Sequence, residues 1–252
     1  AESGVRRVLG ATALLIALAL VAMAAVRPQW GQEEVQRERR GIDLVVALDI
    51  SLSMLAQDVP PSRLELAKDE ILSILDSLRG DRVGLVMFAG NARLLFPLTT
   101  DINIAEQMVR TTTSSTALGA GSSPATAINV ARSAFVNDRS TTKVLLLISD
   151  GEEIGSTTVD ALIEIQRAKE DGIQVMVVGV GTAKGELIQI RNPSTGAGTF
   201  KIDSRTGDPA VSRLDEASLR EMAQRADGEY IPLRESGDLL GEPRPIAHPV
   251  KF

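Results

Sequence analysis

The sequence contains no cysteine, one histidine, and only five Phe, one Tyr and one Trp in 252 residues. Without cysteine there is no disulfide framework, no thiolate zinc site and no thiol nucleophile. The lone histidine, His248, stands four residues from the end in a proline-rich tail. That position argues against Ser-His-Asp chemistry and against an HExxH zinc site. Any metal must then be held mainly by oxygen, which selects hard cations such as Mg²⁺, Ca²⁺ or Mn²⁺. The formal charge is −6. That acidic balance, with so few rings to stack on bases, argues against nucleic acid as the main partner, since backbone binding wants a basic face. The absence of cysteine suits both a cytosol and a bacterial envelope.

Apolar residues make up 44% of the chain, enough for a sizeable core in one α/β domain or at most two small ones. Residues 8–26 (VLGATALLIALALVAMAAV) carry no charge. A spanning helix needs roughly 20 predominantly apolar residues, and this run is just long enough. Arg6 and Arg7 flank one end; Arg27, Pro28 and Trp30 close the other, where an interfacial Trp is expected. A membrane anchor is the favoured reading. A secretory signal peptide is the alternative, although its apolar part is usually shorter, and the AMAAV end offers a cleavage site. Orientation stays open: Arg27, Arg37, Arg39 and Arg40 outnumber Arg6 and Arg7, which by raw count places the following domain inside.

From residue 41 the pattern alternates. Residues 42–48 (IDLVVAL), 83–89 (VGLVMFA), 144–148 (VLLLI) and 173–180 (IQVMVVGV) are near-continuous apolar runs, the mark of strands buried on both faces. Residues 92–96 read as an edge strand ending before Pro97, and 230–233 as a last short strand. Helical spacing is seen after Pro60-Pro61-Ser62 as far as Gly80, over 102–110, 124–136 and 158–170, and over 215–226. Strands alternating with helices predict an α/β, Rossmann-like domain with a mostly parallel sheet covered on both faces. The segment 184–208 is rich in Gly, Thr and Asn and reads as an inserted hairpin around residues 192–196. The resulting division is an anchor over 1–27, a linker over 28–40, the domain over 41–234 and a tail over 235–252. The first forty residues hold six Arg and four Glu, so the remainder carries −8.

In such a sheet ligands gather beyond the carboxyl ends of the strands. The polar residues following the first strand are Asp49, Ser51 and Ser53; those following 144–148 are Ser149 and Asp150; Ser122 lies in Gly119-Ala120-Gly121-Ser122-Ser123. Taken singly, Asp49, Ser51 or Ser53 reads as a helix cap, Ser-Asp-Gly as a turn, and Ser122 or Ser123 as the cap of the helix opened by Pro124. Together they bring two carboxylates and three hydroxyls to one edge, a set that suits a hard divalent cation and leaves it short of a ligand. Two other functions compete. One is a metal-assisted phosphohydrolase with Asp49 as nucleophile, for which Arg93 and Lys143 are the nearest cations and no general base is evident. The other is a metal-free structural part of a membrane assembly, with Met54, Phe88 and the Leu94-Leu95-Phe96 run at an interface.

DISLS at 49–53, GSS at 121–123 and SDGEE at 149–153 resemble the three loops of the metal-ion-dependent adhesion site of von Willebrand factor type A domains. The similarity runs from about residue 41 to 233. Asp49, Ser51 and Ser53 match the DxSxS element and Asp150 the later aspartate, while Ser122 stands where the family usually has Thr. The stretches VRPQWG, RRGIDLVVALDISLSM, DVPPSRLELAK, DRVGLVMFAGNARLLFPLTTD and VLLLISDGEE further resemble bacterial membrane-anchored proteins of the Bat aerotolerance family. That resemblance implies a divalent cation (Mg²⁺, or Mn²⁺ or Ca²⁺) at these five residues, completed by an Asp or Glu of a partner protein. It also implies a non-enzymatic module in the bacterial cytoplasmic membrane, with the domain outside the cytoplasm. Sister proteins of the same domain type and a MoxR-type AAA+ ATPase are its implied partners. This layout opposes the raw Arg count, and a basic loop before Ala1 would reconcile the two.

Overall fold

Four apolar runs become the interior of a six-stranded sheet: β1 (Ile42–Asp49), β2 (Arg82–Phe88), β4 (Thr142–Ser149) and β5 (Ile173–Val180). The structure, a computed structural model, describes residues 2–26, 41–78, 80–114, 118–135, 141–152, 158–191, 198–203 and 206–234. The linker over 28–40, the tail over 235–252 and the 192–196 turn of the expected hairpin lie outside the described residues, as do Trp30 and His248. The chain divides into two units, residues 1–39 and 40–252.

The first unit holds α1 (Glu2–Val26). Its apolar side chains that are described, among them Leu9, Leu14, Ile16 and Val21, are exposed. Among the described residues no helix is long and apolar enough to cross a membrane.

In the second unit the sheet order is β10-β5-β4-β1-β2-β3, with β3 (Ala92–Thr99) and β10 (Tyr230–Leu233) at the edges. All pairs are parallel except β2 with β3. The expected edge strand ends before Pro97, but β3 continues through that proline to Thr99. An edge strand tolerates this because one of its sides makes no ladder bonds, and the register shifts nearby, between Val83 and Val86. Pro232 likewise lies in the other edge strand.

Parity along each strand sorts side chains between two faces. Leu44, Val46 and Leu48 of β1 join Leu146 and Ile148 of β4 in a core covered by α2 (Arg63–Ser77) and α3 (Ile102–Thr111). Val45 and Ala47 join Leu145 and Leu147 against α4 (Pro124–Ala134), α5 (Thr158–Glu170) and α6 (Glu216–Arg225). Of the residues considered for a metal-free interface, Met54, Phe88 and Phe96 belong to these cores.

The insert is more elaborate than one hairpin. Short strands β6 (Glu186–Leu187) and β9 (Val211–Ser212) pair, as do β7 (Gln189–Arg191) and β8 (Gly198–Phe200), with a bridge between Ile202 and Pro209. The segment expected as one strand over 186–190 is broken at Ile188. That residue is buried, and its amide and carbonyl bond to Ala210 and Lys201. The insert therefore extends to Ser212, beyond the expected boundary at 208.

Leu145 is fully buried in β4 between β1 and β5. Leu145→Ala should lower the stability of the domain by about 2–5 kcal/mol, read from the urea midpoint by circular dichroism.

Candidate metal centre

From β1 the chain builds β2 on one side, while β4 lies on the other, so strand order reverses between β1 and β4. Such a switch point opens a crevice at the carboxyl ends of the two strands. Asp49 is the last residue of β1 and Ser149 the last of β4, followed directly by Asp150. Parity then decides what each meets. Asp49 and Ser149 follow Ala47 and Leu147 onto the α4 face, and Asp150 falls on the α2 face.

Asp49 and Asp150 are fully buried, and Ser51, Ser53 and Ser122 nearly so. Asp49 Oδ1 accepts from the Ser51 amide at 2.9 Å; its Oδ2 accepts from Ser122 Oγ at 2.8 Å and Ser149 Oγ at 2.7 Å. Ser51 Oγ and Ser53 Oγ lie 2.9 Å apart. Asp150 Oδ1 accepts from the Glu152 amide at 3.1 Å, and its Oδ2 accepts from Arg63 Nη1 at 2.8 Å. Gly151 shapes this corner: its φ is +72°, and a Cβ there would sit 2.8 Å from the Asp215 carbonyl. Only glycine lets the loop turn so sharply beneath the start of α6, where the Asp215 amide donates to the Asp150 carbonyl at 2.9 Å.

All five residues singled out in the sequence therefore lie at the same strand edge. The competing helix-cap roles are not used. Ser51 precedes a 3₁₀ turn over Leu52–Leu55 without a side-chain cap bond, and Ser123 precedes α4 likewise. Three further groups carry little sequence signal. Ser149 is one hydroxyl among many until strand register places it on the Asp49 face. Ser114 Oγ donates to the Ser51 carbonyl at 3.3 Å from a distant loop. Arg63 had a subtler sign: it is the first residue of α2, after the Ser62 cap, where a cation opposes the helix dipole. The cations weighed for phosphoryl transfer do not converge. Lys143 lies near the start of β4, at the opposite end from Ser149, while Arg93 lines a cavity of about 250 Å³ with Ile50, Met87, Leu95 and Met108.

Burial, and then the charge of Asp150, push the Asp49 carboxyl up from 3.8 to about 6, against the hydrogen bonds from Ser51 and Ser149. Of the two desolvated carboxylates, Asp150 is paired with Arg63, whereas among the described residues no cationic side chain bonds to Asp49. Among the described residues no three Asp, Glu, His or Cys cluster around a metal position. The donor set is instead two carboxylates and three hydroxyls, which fits a hard cation that takes neutral oxygen ligands.

Residues 44–153 match the model of the von Willebrand factor type A domain. The crystal structure of the conserved hypothetical protein BatB from Bacteroides thetaiotaomicron superposes with a TM-score of 0.73 at 35% identity, covering 79% of this chain and 93% of that one. An aerotolerance-related membrane protein from Bacteroides fragilis gives 0.69 at 35% identity, over 76% of this chain and 91% of that one. A UPF0353 protein of Nocardia farcinica is 31% identical over 235 residues, 86% of this chain. The chain spans 64% of the length of that curated relative.

Because the pKa of Asp49 is raised on folding, its contribution to stability is full below its ordinary pKa of 3.8 and is lost as pH rises through 6. In EDTA the protein should lose about 3 kcal/mol from this group between roughly pH 4 and pH 7. Asp49→Asn should flatten that slope in urea unfolding across the same range.

Proposed function

Because the chain belongs to the von Willebrand factor type A family, among the Bat aerotolerance-related proteins, we propose that it is a binding module that captures a partner protein through a divalent cation. Asp49, Ser51, Ser53, Ser122 and Asp150 hold the cation. The observation that carries this reading is the buried Asp49 carboxylate beside Asp150, bonded by hydroxyls that cap no helix and, among the described residues, by no cationic side chain. Mg²⁺, or Mn²⁺ or Ca²⁺ in its place, supplies the missing charge and an attraction for a further carboxylate. An Asp or Glu of the partner is the natural completion, since Arg63 already offsets Asp150 and the two carboxylates then leave one positive charge of a divalent cation uncompensated. Ser122, which has no methyl on Cβ, keeps the hydroxyl with a less restricted rotamer than Thr.

We read the module as binding rather than turning substrate over: among the described residues no cationic side chain bonds to the Asp49 carboxylate, and Lys143 is at the far end of its strand. Residues 1–27 act as a membrane anchor, supported by the uncharged run over 8–26, by the exposed apolar side chains of α1, and by the membrane protein from Bacteroides fragilis among its relatives. The domain then faces the extracytoplasmic side of a bacterial cytoplasmic membrane. There it assembles with sister proteins of the same domain type, in a system served by a MoxR-type AAA+ ATPase.

Titration calorimetry with MgCl₂ tests the site. One Mg²⁺ should bind per chain, and Asp49→Ala should abolish the heat. Undiminished binding by that variant overturns the assignment. Since the Asp49 proton must leave, apparent affinity should fall about tenfold per pH unit below about pH 6.

A further inference from the structure

Arg63 is a fully buried side chain at the start of α2, and all five of its N–H donors are engaged. Nε and Nη2 grip Asp58 Oδ1 and Oδ2, each at 2.8 Å. Nη1 donates to Asp150 Oδ2 at 2.8 Å and to Ser212 Oγ at 2.6 Å, and Nη2 donates again to the Ser212 carbonyl at 3.1 Å. Asp58 Oδ2 in turn accepts from the Thr182 amide at 2.7 Å and from Thr182 Oγ1 at 2.9 Å. Burial opposes the charge of Asp58, but the hydrogen bonds from Arg63 and Thr182 outweigh it and hold that carboxyl below its ordinary range. Gly181 makes room for the guanidinium: at φ +119°, a Cβ there would lie 2.5 Å from Arg63 Nε.

Thr182 and Ser212 are the two feet of the inserted segment over 183–211, and Leu214 N donates to the Thr182 carbonyl at 3.1 Å just beyond them. One guanidinium thus holds three things at once: a carboxylate of the metal centre, the foot of the insert at Ser212 directly, and the foot at Thr182 through Asp58. A buried cation is stable only while such partners satisfy it.

Resting on the cation site proposed above, we infer that Arg63 is a positioning residue that couples occupancy of that site to the insert. The guanidinium and a bound cation compete for the Asp150 carboxylate and repel one another. Arg63 therefore weakens cation binding. When the site is filled, Asp150 Oδ2 turns to the cation, the existing Nη1 bond to Ser212 Oγ no longer has to share the guanidinium with that carboxylate, and the insert is held more firmly. Linkage makes the effect reciprocal: whatever tightens Arg63 on the insert frees Asp150 for the cation. A structural role alone would make every substitution here weaken the site or leave it alone. Coupling requires opposite signs at Arg63 and Ser212.

The test uses the full chain with Mg²⁺ alone, reading calorimetric affinity and amide exchange by mass spectrometry. In the unsubstituted protein, Mg²⁺ should slow exchange of amides in 186–191 and 198–212 at least about threefold, an effect within the usual range of coupling. Arg63→Gln, which keeps donors but removes the charge, should bind Mg²⁺ about tenfold more tightly. Ser212→Ala leaves the guanidinium to concentrate on Asp150, so it should bind Mg²⁺ about fivefold more weakly and lose the protection of the insert. If Arg63→Gln does not fold, Ser212→Ala carries the test by itself. Mg²⁺ binding that leaves exchange in the insert unchanged, or Ser212→Ala with native affinity, overturns the coupling and leaves the cation site standing. No Mg²⁺ binding to the unsubstituted chain overturns both.

Discussion

Negative charge buried at the switch point of the sheet is the constraint around which the domain is arranged. Two adjacent strands end in carboxylates that water does not reach, and every surrounding device answers that fact. Serine hydroxyls on the α4 face donate to Asp49, while an arginine from α2 on the other face donates to Asp150. The division is imposed by the pleat, because residues 49 and 150 differ in parity relative to their paired strands. One carboxylate is thus neutralised by the protein itself, and the other is left with hydroxyls and a raised pKa.

Much of the fold was legible because parallel strands covered on both faces must be apolar throughout. The run over 173–180 and the helix over 158–170 match the structure residue for residue. The first strand was read one residue short because Asp49, though polar, still belongs to its hydrogen-bonded ladder. Proline misled at β3, where it reads as a stop but sits on a sheet edge that asks less of its backbone. The insert was legible as an interruption but not as two small ladders. Its pairings join residues such as Glu186 and Ser212, which no local pattern relates.

The five oxygen donors could be named from motif spacing, since each falls just after a strand or before a helix. Their support could not. Asp58, Arg63, Thr182 and Ser212 come from four loops and helix starts separated by up to 150 or so residues of chain, and only folding brings them together. The one local hint was the charge of Arg63 at a helix start, where the dipole disfavours it. A residue placed against its local preference marks a tertiary demand that overrides it.

Pro97 and Pro232 lie in the two outermost strands. Each deletes an amide donor from a border where another chain's strand would otherwise add itself, so lateral growth of the sheet into fibres or strand-swapped pairs is discouraged on both flanks at once. Recognition of the proposed kind is thereby steered from the sides of the sheet to its rim, where the loops carry charge and a contact would be made and reversed by ions.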